Sequence, residues 1–536
     1  MTTPENKREV QSALASDLRL HPQRLDLGQA EMLTDVLLNR FEDLEQRLNT
    51  YFSGSAAGPE LRKSMQAYLS RLNSNPLIPL HFRLKVLHRF EERLDLFDAE
   101  MTAAVLNAHK IGVDMVQKEA LQDPEYYRIL VDMVAHAINL AGSLMKDTLG
   151  SYHAPAVITV RQVFDLMRLG MIVVPELGEG AEEETKRLHL SIVRYELLRG
   201  LDFFSKTIEA QGMMMDELQH HVDELTPHYL PKDGLKSSEM KGYSLLVTNM
   251  SRPNDTAQVV TFAPQPTTSD YIIIPMDDFI DKLVMAIDRA EKVINNPVLQ
   301  SNDLQIEASL QTTVLGGNAI LDALRTKSRD TERQEYGNAK LVVDWSLQHS
   351  ISVLQSTLAS KENILSKQTE TEDENDVAPA HAWTVINISR QGMAVERLSA
   401  VPPEREVNAL VGLHWKPHRG EPCFAFIRWI RYPKEGEQQV GLQFYLRDFV
   451  PVNATMLSIG DTKEHRKWSL LATFEADGEH VIVFPDPTVF KGMVFSVEEA
   501  SHGGYYKVVQ VQEVGSNYAI CVAQVASELD TKHIDG

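Results

Sequence analysis

At 536 residues the chain exceeds what one hydrophobic core organises, so roughly three or four domains are expected. Its 43% hydrophobic and 24% charged content excludes wholesale disorder. A formal net charge of -22 disfavours DNA or RNA as partners, but a few clustered arginines can still set a local potential for a small anionic ligand.

The opening residues are polar and lead into no apolar core, so no secretory signal is read there. Leu37, Phe41, Leu44, Leu48 and Tyr51 recur at helical spacing, as do Phe82, Val86, Phe90, Leu94 and Phe97. Asp123-Pro124-Glu125 predicts a helix start, with a capping carboxylate, proline at the first helical position and an acid near the positive helix end. The apolar stretch 129–145 is interrupted by Asp132, His136 and Asn139, so no membrane span is expected. The glutamate-rich run 175–184 reads as an acidic surface loop. Val193, Leu197, Leu201, Phe204 and Ile208 continue the helical period, and a helical bundle domain over 1–235 follows. Adjacent His220 and His221 would point about 100° apart on a helix and do not suit one metal ion.

The period then changes. The β-branched runs 244–247, 257–262 and 271–274 predict a small sheet, followed by a helix bearing Ile280, Leu283, Ile287 and Ile294, which gives a second unit over 236–298. Residues 339–345 read as a strand and 347–358 as a helix. The polar, acidic stretch 367–380 reads as a disordered connector. From Trp383 onward, short strands alternate with turn residues, the pattern of β-barrels. Cys423 and Cys521 lie in apolar surroundings and read as buried core thiols in a cytoplasmic protein. No phosphate-binding glycine loop, nucleophile elbow or zinc-protease motif occurs, so neither catalytic nor metal-binding residues are assigned and no enzyme is expected.

The informative segment runs from Trp383 to Val395. Asn387, Ser389 and Gly392 stand where two strands meet, with Gly392 expected to supply the positive φ of a chain reversal that presents Asn387 and Ser389 as fixed polar groups. Upstream, Arg325, Arg329 and Arg333 repeat at intervals of four. The same segment could be a solvated helix face.

The Asn387-x-Ser389-x-x-Gly392 pattern resembles the (D/N)xSxxG motif of PilZ domains. The strands 424–430 and 440–444 resemble the later strands of that family in order and spacing, and the two overlapping RxxxR copies resemble its arginine element. An internal echo, Asn249-Met250-Ser251-Arg252, lacks the glycine and is assigned no ligand. The resemblance covers about 325–455 and implies a PilZ-like β-barrel over 299–455. With the helical N-terminal half read above and the further short strands beyond Pro451, which suggest a second small C-terminal β-barrel over 456–536, the chain is expected to be α+β. The resemblance also implies a receptor for cyclic di-GMP with no other cofactor. Ligand-binding residues are then Arg329, Arg333, Asn387, Ser389 and Gly392, although Arg325/Arg329 could be the contacting pair instead. Guanidinium forks suit both phosphate and the guanine O6/N7 edge. The helical half would couple ligand binding to a protein partner that the sequence does not identify. The alternative is an interaction scaffold whose PilZ fold binds no nucleotide.

Overall fold

The computed structural model describes residues 4–15, 59–75, 78–92, 97–153, 155–201, 203–232, 244–253, 255, 257–260, 269–295, 304–324, 334–335, 340–364, 382–389, 391–398, 407–414, 423–434, 436–445, 449–456, 466–474, 479–498 and 503–527. The stripe at 37–51, the arginines 325, 329 and 333 and the acidic connector lie outside them. The chain divides into two compact units. The first holds residues up to Lys327 except for two short segments; the second holds Ser328–Gly536 together with those segments, Tyr152–Ala154 and Phe204–Ile208. This division is coarser than the four parts drawn from the sequence.

The first unit is built on helices α1 (Pro4–Ala15), α2 (Pro59–Ser74), α3 (Leu80–Glu91), α4 (Ala99–Ala120), α5 (Tyr127–Gly150), α6 (Val157–Val173), α7 (Glu182–Gly200) and α8 (Ile208–His221). Asp123 behaves as read: its carboxylate accepts the Glu125 N–H over one 3-10 turn, Pro124–Tyr126, and α5 follows. Three expectations need refinement. With the preceding turn, α5 is long and apolar enough to cross a membrane by length and composition. Yet Leu130, Val134, Ile138 and Leu149 are buried within the unit, where α5 packs on α4 and α7. Two of the three polar residues that seemed to interrupt it are paired, His136 facing Glu91 and Asp132 facing Arg187. The 193–208 stripe is also not one helix. It ends at Gly200, and a 3-10 turn at Phe203–Ser205 separates it from α8. Of the acidic run, residues 177–181 are a loop as read, but Glu182, Glu183 and Glu184 form the first turn of α7, where the positive helix end favours them.

A four-stranded sheet in the same unit comprises β1 (His228–Leu230), β2 (Leu245–Asn249), β3 (Gln258–Val260) and β4 (Tyr271–Pro275), in the order β1-β4-β2-β3. Helix α9 (Asp277–Ile294) turns Phe279, Leu283, Ile287 and Ala290 inward, and α10 (Leu304–Leu324) packs on it. The echo at Asn249 is a turn: the Asn249 side-chain carbonyl accepts the Ser251 N–H.

The second unit contains two closed antiparallel barrels, so the helical half followed by two barrels is the fold the chain adopts. The first barrel consists of β5 (Gln334–Glu335), β6 (Lys340–Asp344), β7 (Ala382–Ser389), β8 (Gly392–Leu398), β9 (Leu410–His414), β10 (Cys423–Lys434) and β11 (Glu437–Phe444). Its order is β7-β6-β9-β10-β11-β8, closed by pairing of β8 with β7; β5 lies on the same edge of β7 as β6, further along. Inward residues include Trp383, Val385, Val395, Ile427, Ile430 and Val440. Cys423 is half-buried rather than core, whereas Cys521 is fully buried, and neither forms a disulfide.

The second barrel, β12 (Val450–Met456), β13 (Lys467–Phe474), β14 (His480–Phe484), β15 (Val494–Val497), β16 (Gly504–Val514) and β17 (Ala519–Val525), closes in the order β12-β13-β14-β17-β16-β15. Helix α11 (Leu347–Ile364), inserted between β6 and β7, sits outside both barrels. Its Leu347, Ile351 and Leu354 join Leu410, Phe424 and Phe426 of the first barrel and Leu471, Val483, Tyr518 and Ile520 of the second in one apolar cluster.

Candidate functional site

In a regular strand alternate residues share a face, so Trp383, Val385, Asn387 and Ser389 would all point into the barrel. They do not. Between Val385 and Asn387 the register against β8 slips by one residue: Val385 pairs with Val395, but Asn387 pairs with Ala394 and Ile388 with Met393. The extra residue, Ile386, is a β-bulge, and beyond it the faces exchange. Ile388 therefore packs against the barrel core, while Asn387 and Ser389 are carried to the outer surface.

Ser389 and Gly392 pair across a two-residue hairpin loop. The Ser389 hydroxyl donates to the Gly392 carbonyl at 3.2 Å and accepts the Gln391 N–H at 3.3 Å, so most of its hydrogen-bonding capacity is spent on the turn. The half-buried amide of Asn387 has no hydrogen-bond partner among the described residues.

Gly392 is needed for a different reason from the one expected. Among the described glycines, positive φ occurs at Gly180, Gly436 and Gly492, not here. Instead Gly392 opens β8 directly against β11, where it pairs with Gln443. A Cβ at this position would lie 2.0 Å from the Leu442 carbonyl oxygen and 3.0 Å from Gln443 Cα. Close backbone approach at the barrel seam, not chain reversal, excludes a side chain.

Arg329 and Arg333 fall outside the described residues. The chain resumes at Gln334, immediately after Arg333, and there it pairs with Ile388 while Glu335 pairs with Asn387. The strand that follows the arginine segment thus runs beside the Asn387–Ser389 end of β7.

A second bulge lies in β10. Ile427 pairs with Leu442, but Trp429 pairs with Gly441, leaving Arg428 as the extra residue. Trp429 is thereby turned outward and Ile430 inward. Registers of the four strands now align: Asn387 faces Ala394, Ala394 faces Gly441, and Gly441 faces Trp429. Arg428 is exposed and donates to Gln443, its guanidinium 4.9 Å from the Phe426 ring centre. By contrast, Arg397 of β8 lies over the Trp383 ring at 4.6 Å and donates to Gln438; burial pulls its pKa down. Sequence reading placed Trp429 and Gly441 on family-like strands without assigning them to the site. Only the two bulges reveal which face they share with Asn387.

Residues 307–446, about a quarter of the chain, match the family model described as the middle PilZ domain of the cyclic-di-GMP receptor FimW. The match spans the first barrel, the arginine segment and helix α11, so the barrel carrying Asn387, Ser389 and Gly392 is a PilZ domain. No curated protein matches the chain.

Proposed function

We propose that this protein is a cyclic di-GMP receptor that acts without catalytic turnover, in the cytoplasm, and couples the second messenger to a protein partner through its helical half. The observation that carries the reading is the hairpin itself. An Asn387-x-Ser389-x-x-Gly392 turn stands on the outer face of a PilZ barrel, and the strand following Arg333 pairs beside it at Ile388. In this reading Arg329 and Arg333 close over the ligand, forking onto phosphate or guanine edges. Asn387 supplies a fixed polar contact, Ser389 holds the turn, and Gly392 lets β8 close against β11. Engagement of these arginines by ligand would then alter what the helical half presents to its partner.

Calorimetric titration tests the reading. Cyclic di-GMP is expected to bind with Kd near about 1 μM, which corresponds to about -8.2 kcal/mol. Arg329→Lys and Arg333→Lys should each weaken binding with unfolding unchanged, because lysine keeps charge but loses the fork. Absence of binding by the parent at high ligand concentration would leave the scaffold reading in its place. Parent-like affinity in both lysine variants would make the arginines a solvated surface.

A further inference from the structure

The chain leaves the helical unit twice for the barrel unit, at Tyr152–Ala154 and at Phe204–Ile208, and soon returns each time. The first departure follows directly on helix α5. Its cap is Ser151, and the next residue, Tyr152, has a φ of 58°, the left-handed conformation that normally calls for glycine. Its side chain offsets that cost. Tyr152 is 6% exposed within the apolar core of the PilZ barrel, and its hydroxyl donates to the Lys206 carbonyl at 3.0 Å. The two departures are thereby tied to each other. Phe204 packs against the same core, with the Arg431 guanidinium 5.8 Å from its ring centre. Contacts continue from Tyr152 to the strands that carry the hairpin. The Tyr432 N–H donates to the Tyr152 carbonyl at 3.0 Å, and the Tyr432 ring stacks on His153 at 4.9 Å. The Tyr432 hydroxyl accepts the Gln438 amide at 3.4 Å, and Gln438 accepts from Arg397, which lies over Trp383. Arg397 follows Gly392 on β8, and Trp383 precedes Asn387 on β7. Tyr152 is therefore seated at the end of the barrel away from the hairpin.

We propose that Tyr152 is a conformational latch through which ligand binding at the PilZ barrel reaches the helical half. The inference rests on the cyclic di-GMP reading above and deepens it by naming the residue through which the signal leaves the barrel. The latch has two states. Seated, the ring fills the core and the backbone after α5 is held left-handed; unseated, the backbone relaxes to negative φ and the hydroxyl leaves Lys206. Ligand that draws β7 and β8 together favours the seated state, and the covalent chain carries that bias into α5 and, through Lys206, towards α8. A purely structural role as a core filler is the competing account. It predicts that ligand leaves the end of α5 unaltered.

Amide hydrogen exchange of the full chain, with and without saturating cyclic di-GMP, separates the two, with binding followed by calorimetry on the same proteins. In the parent, ligand should slow exchange by about threefold or more at 146–153 and at 204–208. Tyr152→Gly accepts the backbone conformation but removes the ring, so it should still bind while the slowing at both segments disappears. Tyr152→Phe keeps the core filled and cuts only the tie to Lys206. The slowing at 204–208 should therefore fall by about half or more in that variant, whether or not Tyr152→Gly folds. Binding by the parent with unchanged exchange at both segments would overturn the latch and leave the receptor reading intact. Failure of the parent to bind would instead remove that reading, and the latch with it. Undiminished slowing in the variants that fold would also overturn the latch.

Discussion

Gly392, Ser389 and Asn387 lie within six residues of one another and should respond to mutation in three different ways. At Gly392 the obstacle is the Leu442 carbonyl oxygen, so even alanine should destabilise the barrel, by about 1–3 kcal/mol as overpacking does. Asparagine is the discriminating substitution. It tolerates positive φ and would rescue a turn glycine, but it cannot relieve a steric contact with backbone. Thermal unfolding of Gly392→Asn should therefore match or fall below that of Gly392→Ala; a nearly parental melting temperature would restore the turn explanation. Ser389→Ala removes two hydrogen bonds that shape the loop, each worth about 0.5–1.5 kcal/mol, so stability and ligand affinity should fall together. Asn387→Ala removes an amide with no partner among the described residues, so affinity should fall with melting temperature held. Affinity and melting temperature measured on the same preparations decide it. If Asn387→Ala melts early and binds normally, the amide is structural.

The two bulges decide which strand residues reach the surface. Deleting Ile386 would remove the slip in β7 and return Asn387 and Ser389 to the inward face, while Ile388 moved out. Burying unpaired polar groups in place of an apolar side chain is costly, so the deletion should lose the folded barrel and ligand binding together, read by near-ultraviolet circular dichroism. A folded, binding-competent deletion would mean that the bulge does not set the face. The same feature explains what was legible beforehand. The runs 271–274 and 339–345 are bounded by turn residues and were found nearly to the residue, as Tyr271–Pro275 and Lys340–Asp344. The Asn387–Gly392 motif was visible because it is local. The alignment of Asn387 with Trp429 was not, because it depends on two one-residue slips, at Ile386 and Arg428, and on pairings between residues as distant in the chain as Ala394 and Gly441. A period-2 reading has no means to detect an inserted residue. Gly392 was recognised for its identity but assigned to the wrong physical cause, since a carbonyl from β11 leaves no trace in the sequence around β8. The stripe from Val193 to Ile208 misled in the opposite direction: apolar spacing of three and four continued across Gly200, where the helix stops.

At the scale of the whole molecule, the two units should respond differently to acid. In the first unit, burial lowers the pKa of His136 against the opposing pull of Glu91 and Asp132; His109 and Arg187 push it the same way as burial. Burial likewise lowers His189, aided by His228, and His228 itself. A histidine with a lowered native pKa takes its proton more readily in the unfolded chain. Its contribution to stability is therefore present at neutral pH and is lost as pH falls from the ordinary value of 6.5 towards the lowered one. Glu91 adds to this at lower pH. Burial alone would raise its pKa, but the hydrogen bond with His109 at 2.6 Å and the charges of His109, His136 and His88 outweigh it, so its stabilisation fades below about 4.5. In the second unit the shifted groups that matter on acidification are the carboxylates Asp344 and Asp486. Asp344 is held well below 3.8, burial being outweighed by its bonds to His414, Ser350 and His349, and Asp486 is lowered by Thr488 and Arg466 against its own burial. Their contribution persists until pH falls below the ordinary aspartate range. The helical unit should consequently open first on acidification, and the barrels only at lower pH. The chain supplies its own reporters. All five tryptophans follow residue 328, so indole emission follows the barrel unit, whereas ellipticity at about 222 nm is dominated by the helices of the first. In an acid titration, ellipticity should fall at a higher pH than the emission shift, and His136→Gln should move the first transition towards lower pH without moving the second. Coincident transitions, or a first transition unmoved by His136→Gln, would mean that these buried histidines do not set the acid limit of the helical unit.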